Sequence, residues 1–229
     1  MNSVYAVAQK TIEKVNLADF LAPLVFRLIL APVMIIAGYN KLRIGDADAG
    51  MFEQFLAKPN IVAWFGNPEW GLGLPAPDLL AFLAGWAEFG GGWLLLFGLL
   101  TRLVVIPLLI TMLVAALSVH WVNGWHAIAP ANGATSVATF FDWFGFPGAA
   151  ESLHNSNEVS DRLERIRGII EANGKPSYLY ATGPVVILNN GIQFAAIYFA
   201  MLLSLLFTGA GRWLSLDYWL ARQIEPAKT

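Results

Sequence analysis

The stretch AFLAGWAEFGGGWLLLFGLLTR, residues 81–102, decides the fold. It is apolar and long enough to cross a bilayer, since about 20 residues span roughly 30 Å of hydrocarbon. One carboxylate, Glu88, sits near its middle, followed by Gly90, Gly91 and Gly92. A charge at that depth costs roughly 2.5–3.5 kcal/mol on insertion scales, so it faces the bundle interior and needs a partner. The other polar groups within apolar segments are therefore candidate partners for Glu88.

The composition around this stretch agrees. Of 229 residues, 57% are hydrophobic and 13% charged, against about 45–50% and about 25% in soluble domains. That deficit in charge argues for a membrane protein, and residues 1–229 read as one domain. The net charge of -2 comes with no basic block, so nucleic acid is not an expected partner. With no cysteine, disulfides, thiolate zinc sites and cysteine-ligated iron–sulfur clusters are excluded. The three histidines lack clustered carboxylates, and His120 and His126 are six apart, so no metal is expected. The first 19 residues read as a weakly amphipathic lead-in without a cleavable signal, carrying Lys10 and Lys14.

Four spans follow from apolar run length, at about 20–41, 78–100, 103–122 and 185–207. The fold class is all-α, an integral membrane four-helix transmembrane bundle. Residues 42–76 form a polar connection with an amphipathic piece over 51–65. Residues 123–184 form a long extracytoplasmic excursion between the third and fourth spans. It contains the aromatic run ATFFDWFGFPG, expected at the membrane interface, and an amphipathic helix over Ser160–Ala172. Lys10, Lys14, Arg102, Arg212 and Arg222 lie at the end carrying the termini, and Lys41, Arg43 and Lys175 at the other. This modest imbalance places both termini in the cytoplasm.

Helical spacing assembles polar stripes. Arg27, Ala31, Met34, Gly38 and Lys41 share one face of the first span. Ala81, Gly85, Glu88, Gly92, Leu95 and Arg102 share one face of the second, with small residues that allow a close helix approach. Gln193, Ala196, Ala200 and Ser204 form another such face, and two small-residue faces permit a homodimer. Residue counting sets Lys41, His120 and Gln193 near the outer face, Glu88 near the midplane and Arg27 in the inner half. Arg102 and Asp217 fall at the inner boundary. Arg27–Glu88 is the first expected pair and Arg102–Asp217 the second. Each has a plain alternative, as a lock on helix register or an anchor of topology. His120 suits proton transfer or ligand contact at a wet mouth, or bonds a backbone carbonyl. Trp86 is a candidate wall for a flat ring, or an interface aromatic. Ser215 is a candidate cap for a turn holding Asp217.

Several of these pieces together resemble the DoxX family of small four-helix membrane proteins. They are RLILAPVMIIAGYNKL with Arg27, Gly38 and Lys41, and AGWAEFGGGWLLLFGLLTRL with Glu88, Gly91, Gly98, Thr101 and Arg102. To these add the alanine-rich run ending in His120, and GAGRWLSLD with Gly209, Gly211, Ser215 and Asp217. The resemblance implies a bacterial cytoplasmic (inner) membrane protein and a membrane subunit of a quinone-linked oxidoreductase, of the thiosulfate:quinone oxidoreductase type. On that reading a quinone lies in the bundle, with His120, Lys41 or Arg27 on its carbonyls, Gln193 and Trp86 beside it, and Glu88 passing protons. Arg102, Asp217, Gly91, Gly209, Gly211 and Ser215 would then be structural. A redox partner subunit would supply or accept the electrons. Two departures stand out: the excursion over 126–184 exceeds the family core, and Gln193 stands where the resemblance implies an acid. The alternative reading is a non-catalytic membrane scaffold or a carrier of a small solute or proton.

Overall fold

The computed structural model describes residues 17–130 and 133–224, so Lys10 and Lys14 lie outside the described residues. Nine α-helices are described: α1 (Leu21–Lys41), α2 (Pro59–Gly66), α3 (Pro77–Phe97), α4 (Thr101–Val114), α5 (Ala138–Trp143), α6 (Ala149–Asn173), α7 (Pro176–Leu179), α8 (Gln193–Thr208) and α9 (Leu216–Ile224). Contacts group the chain into two compact units, residues 1–114 with 197–229, and residues 115–196.

In the first unit, α1 and α3 carry the stripes that the spacing predicts. Pro23, Arg27, Leu30, Ala31, Met34 and Gly38 are buried on α1, and Ala81, Gly85, Glu88, Gly91, Gly92 and Leu95 on α3. The helices run antiparallel with backbones almost touching. A Cβ on Gly38 would meet the Phe89 nitrogen and lie 2.6 Å from the Gly85 oxygen, and one on Gly92 would lie 2.9 Å from the Ile35 nitrogen. One core cluster joins Leu30, Met34 and Leu95 to Val105, Leu108 and Met112 of α4 and to Leu202 and Leu205 of α8. The outward faces stay apolar, with Leu28, Ile36, Leu83, Phe97, Leu103 and Ile110 all exposed. Patches of that extent on a folded protein mark contact with another apolar phase.

Among the described residues, three helices are long and apolar enough to cross a membrane: Leu21–Lys41, Pro77–Phe97 and Thr101–Asn123, the last passing through a π turn over Ala115–His120 and ending in a 3-10 turn over Trp121–Asn123. The second ends earlier than the sequence predicts, because Gly98 and Leu100 take positive φ and turn the chain. Arg102 therefore belongs to α4 and not to the Glu88 stripe. The fourth apolar run departs further. Its helix starts at Gln193, not 185, and has 16 residues, about 24 Å at 1.5 Å per residue. The missing turns are extended backbone, because Asn189–Asn190–Gly191 breaks the helix with Asn190 at positive φ. The freed backbone pairs instead with residues 124–129. Ala129 donates to the Ile187 oxygen, and Asn189 and Asn190 donate to the Ala127 oxygen.

The second unit is more helical than its sequence suggests. The helix predicted at Ser160–Ala172 begins at Ala149. Its buried stripe is Ala149, Ser156, Val159 and Leu163, and the small polar Ser156 hides that periodicity. Val159 and Leu163 pack with Ala129, Val185 and Ile187. Of the expected face, Leu163 is buried but Ile166 is exposed.

The α1–α3 contact yields a paired prediction. Gly38→Ala forces backbone against backbone and lowers stability by about 1–3 kcal/mol, as overpacking does. Gly168→Ala, mid-helix in α6 with nothing within 4 Å, raises it by roughly 0.5–1 kcal/mol. Thermal melting of both variants in detergent reads the opposite signs.

Candidate functional site

Glu88 is partnered by Lys41, not by Arg27. Lys41 Nζ lies 2.5 Å from Glu88 Oε2, with the lysine side chain 24% and the glutamate 5% exposed. The register explains the choice. Gly38 is level with Gly85 and Phe89, so Lys41 starts one turn outside Glu88. Side chains on a helix lean toward its N-terminus, which carries Nζ back to that level. Arg27 is level with Leu95, seven residues past Glu88, or about 10 Å along the axis.

Arg27 has other partners. Nε donates to the Leu95 oxygen (2.8 Å) and Nη2 to the Leu96 oxygen (2.7 Å), while Nη1 donates to the Ala210 and Leu214 oxygens (2.9 and 3.0 Å). Leu95 and Leu96 close α3, whose end is a Schellman turn: the Gly98 and Leu99 nitrogens donate to the Leu95 and Leu94 oxygens. The guanidinium thus sits at the negative end of a helix dipole, donating to the Leu96 oxygen and adding a second donor to the Leu95 oxygen. Arg27 is a structural clamp and does not belong with the candidate catalytic groups.

Arg102 and Asp217 also form no pair. The Asp217 carboxylate accepts from the Leu100 (2.7 Å) and Thr101 (2.9 Å) nitrogens and so caps α4. Arg102 Nη2 donates to the Phe207 oxygen. Ser215 takes the expected cap, accepting from the Tyr218 nitrogen and donating to the Gly211 oxygen. Gly209 and Gly211 have φ +74° and +85°, and Gly91 lets Val104 of α4 approach.

An aromatic group lies next to the ion pair along α3. Trp86 stacks on Phe55 at 6.0 Å and meets Phe89 edge-on at 5.8 Å, and Phe89 lies 6.3 Å from Tyr39. Trp86 Nε1 donates to the Phe55 oxygen. The 42–58 segment brings Phe55 there by folding back on α1, through Arg43 to Leu56 and Lys58 to Lys41 backbone bonds. The amphipathic piece over 51–65 is interrupted at 56–58, because the residue before Pro59 avoids the helical region. Arg43 pairs with Asp46 and Glu53 in this segment. The Asp48 N–H and Arg43 hold the Asp46 carboxyl below its ordinary range.

His120 and Gln193 belong to the second unit. His120 Nδ1 lies 2.8 Å from the Asn190 oxygen, and Gln193 Oε1 accepts from the Ala127 nitrogen. The same unit holds a cavity of about 800 Å3 lined by Trp121, Trp125, His126, Phe141 and Phe146, which sequence reasoning missed. His126 is half-buried beside Ser136 Oγ at 3.1 Å, and burial pushes its pKa down.

The family model that matches the chain is DoxX, over residues 22–121. Residues 22–121 match the DoxX domain. The domain contains Lys41 and Glu88, the Arg27 clamp, Trp86 and, at its end, His120, whereas Gln193 and the 209–217 turn lie beyond it. No curated protein and no solved structure matches the chain. The DoxX match and the three long apolar helices make this an integral membrane protein.

Two outcomes follow. Arg27→Gln destabilises by on the order of 3–5 kcal/mol, as loss of a buried charged partner does. Asp217→Asn, which weakens one helix cap, does so by about 1 kcal/mol. Melting temperatures in detergent rank the two. For His126, burial favours the neutral ring, so the unfolded chain binds the extra proton below its ordinary pKa of about 6.5. Stability is full above that pH and falls as the pH drops through the lowered folded value. Melting between pH 7.5 and 5 shows this acid loss, and His126→Gln reduces it.

Proposed function

We propose that the chain is the membrane subunit of a quinone-linked oxidoreductase, with the quinone ring held beside Lys41 and Glu88. The observation that carries the reading is the Lys41–Glu88 ion pair inside the DoxX domain, with a sealed carboxylate and a partly open ammonium. A buried ionisable pair within a span is a functional site by default. The neighbouring groups fit a quinone: Lys41 is a donor for a ring carbonyl, and Trp86 and Phe89 supply flat apolar faces.

A quinone supplies two-electron, two-proton chemistry, and a partner subunit delivers or takes the electrons. Lys41 orients a carbonyl oxygen by hydrogen bonding. Glu88 holds or releases the proton that accompanies reduction of that oxygen, and Lys41 stabilises its anionic form between turnovers. The sealed position of Glu88 keeps bulk water from short-circuiting the transfer. With Nδ1–H donating to Asn190, the neutral His120 ring presents Nε2 as a proton acceptor. The accompanying topology has α8 as a fourth crossing, both termini in the cytoplasm and the 123–184 segment outside the bacterial inner membrane. Support comes from Arg102, Arg212 and Arg222 at the terminal end.

Quinone reduction by the intact complex tests the reading. Glu88→Gln preserves shape and lowers kcat by about a hundredfold, the scale of a lost general acid–base group. Lys41→Gln lowers the quinone retained by purified protein, read by mass spectrometry of lipid extracts. Unchanged turnover in both variants sinks the proposal and favours a scaffold or solute carrier.

A further inference from the structure

At the terminal end of the first unit a crevice of about 680 Å3 opens beside the first turn of α4. Asp19, Arg102, Arg212 and Asp217 supply its charges, and Thr101, Thr208 and Tyr218 its hydroxyls. The two carboxylates are engaged. Asp217 is held by the Leu100 and Thr101 nitrogens, and Asp19 pairs with Arg212 at 2.7 Å. Arg102 is different: among the described residues it makes no ion pair, and its one described hydrogen bond runs from Nη2 to the Phe207 oxygen at 3.0 Å. Its guanidinium lies over Gly209, where a Cβ would stand 3.4 Å from Nε. The absence of a side chain there lets the cation fold back over the end of α8. Arg222 Nη1 donates to Tyr218 Oη at 3.2 Å, which leaves the tyrosine O–H as a donor for a further acceptor.

Much of the remaining lining is apolar. Leu100 and Leu103, both in its lining, are 52% and 65% exposed, and Phe207, whose carbonyl Arg102 holds, is 72% exposed. A guanidinium without a carboxylate, a phenolic donor and a strip of exposed leucine and phenylalanine at the end of a membrane span together match one kind of ligand. It has an anionic oxygen cluster at one end and hydrocarbon at the other.

We propose that this crevice binds the phosphate group of an anionic membrane lipid, with Arg102 on the phosphate oxygens and the acyl chains along Leu103 and Phe207. Guanidinium recognises phosphate through its planar fork of donors, and basic pockets at the ends of transmembrane helices hold lipid headgroups in this way. A free phosphate ion shares the headgroup chemistry but has no use for the exposed leucines. The site is separate from the Lys41–Glu88 pair and does not depend on the quinone reading.

The test uses the full chain in nanodiscs containing phosphatidylglycerol and phosphatidylcholine in equal amounts, followed by native mass spectrometry. The expected result is preferential retention of phosphatidylglycerol, reduced roughly fivefold by Arg102→Gln, the effect of one basic residue at a membrane surface, and largely kept by Arg102→Lys. A photoreactive phosphatidylglycerol added to the unaltered protein cross-links within residues 98–103 or 207–222. That arm decides the question even if Arg102→Gln fails to assemble. Equal retention of the two lipids, retention unchanged in folded Arg102→Gln, or cross-links confined to other segments overturns the proposal. Protection against melting by inorganic phosphate in pure phosphatidylcholine discs, matching that given by phosphatidylglycerol, would assign the site to a free anion and overturn the lipid assignment.

Discussion

Arg27 is buried because carbonyls from three parts of the chain converge on its guanidinium. Leu95 and Leu96 come from the end of α3, Ala210 from just past α8, and Leu214 from just before α9. A cation in this position would be untenable without them, and the Leu96 oxygen in the last turn of α3 would lose its donor without it. The clamp fixes where α3 ends, which fixes the Gly98–Thr101 turn, which in turn fixes where α4 begins. Asp217 secures the same turn from the other side, accepting from Leu100 and Thr101 and donating its own nitrogen to the Gly98 oxygen. Two charges of opposite sign thus hold one turn by its carbonyls and amides and never touch each other.

Against that frame the Lys41–Glu88 pair has a different character. Arg27 is spent on backbone, whereas Lys41 and Glu88 are matched to one another and only the lysine reaches out. Replacing a close ion pair by hydrophobic residues is often neutral for stability, so the pair is not required for the packing of α1 on α3. Gly38, Gly85 and Gly92 already provide that contact. Beside Phe55, Trp86 and Phe89, the pair forms a polar spot with aromatic edges in an otherwise apolar helix pair.

Much of the helix pairing is legible in the sequence. The stripes on α1 and α3 follow from spacings of three and four, and the glycines on them announce a close approach. The partner of Glu88 was not legible from depth counting alone. Two cations share the α1 stripe, and counting residues places Cα atoms, not side-chain tips. The N-terminal lean of a helical lysine moves its charge by about a turn, enough to reverse the pairing. Arg27 was misread for a related reason: periodicity shows that a residue faces inward but not that backbone carbonyls wait for it there. The late start of α8 is a contest between apolar composition and Asn189–Asn190–Gly191, resolved by pairing with residues 124–129, which no local pattern in 185–207 reveals. The early start of α6 was hidden by Ser156, a polar residue buried through hydrogen bonds to Ser136 and to the Ser152 oxygen.

The clamp also imposes an order on biosynthesis. Arg27 leaves the ribosome with the first apolar helix, but two of its four acceptors, the Ala210 and Leu214 oxygens, follow 183 and 187 residues later. Until residues 210–214 have been translated, the nascent chain carries a cation that is only half coordinated, by the end of the second long helix. The first helix therefore enters the membrane carrying a penalty of roughly 2.5–3.5 kcal/mol, which its later acceptors offset. Residues 210–217 act as the latch that closes the bundle, so a chain shortened before residue 210 carries an arginine with only two of its four acceptors.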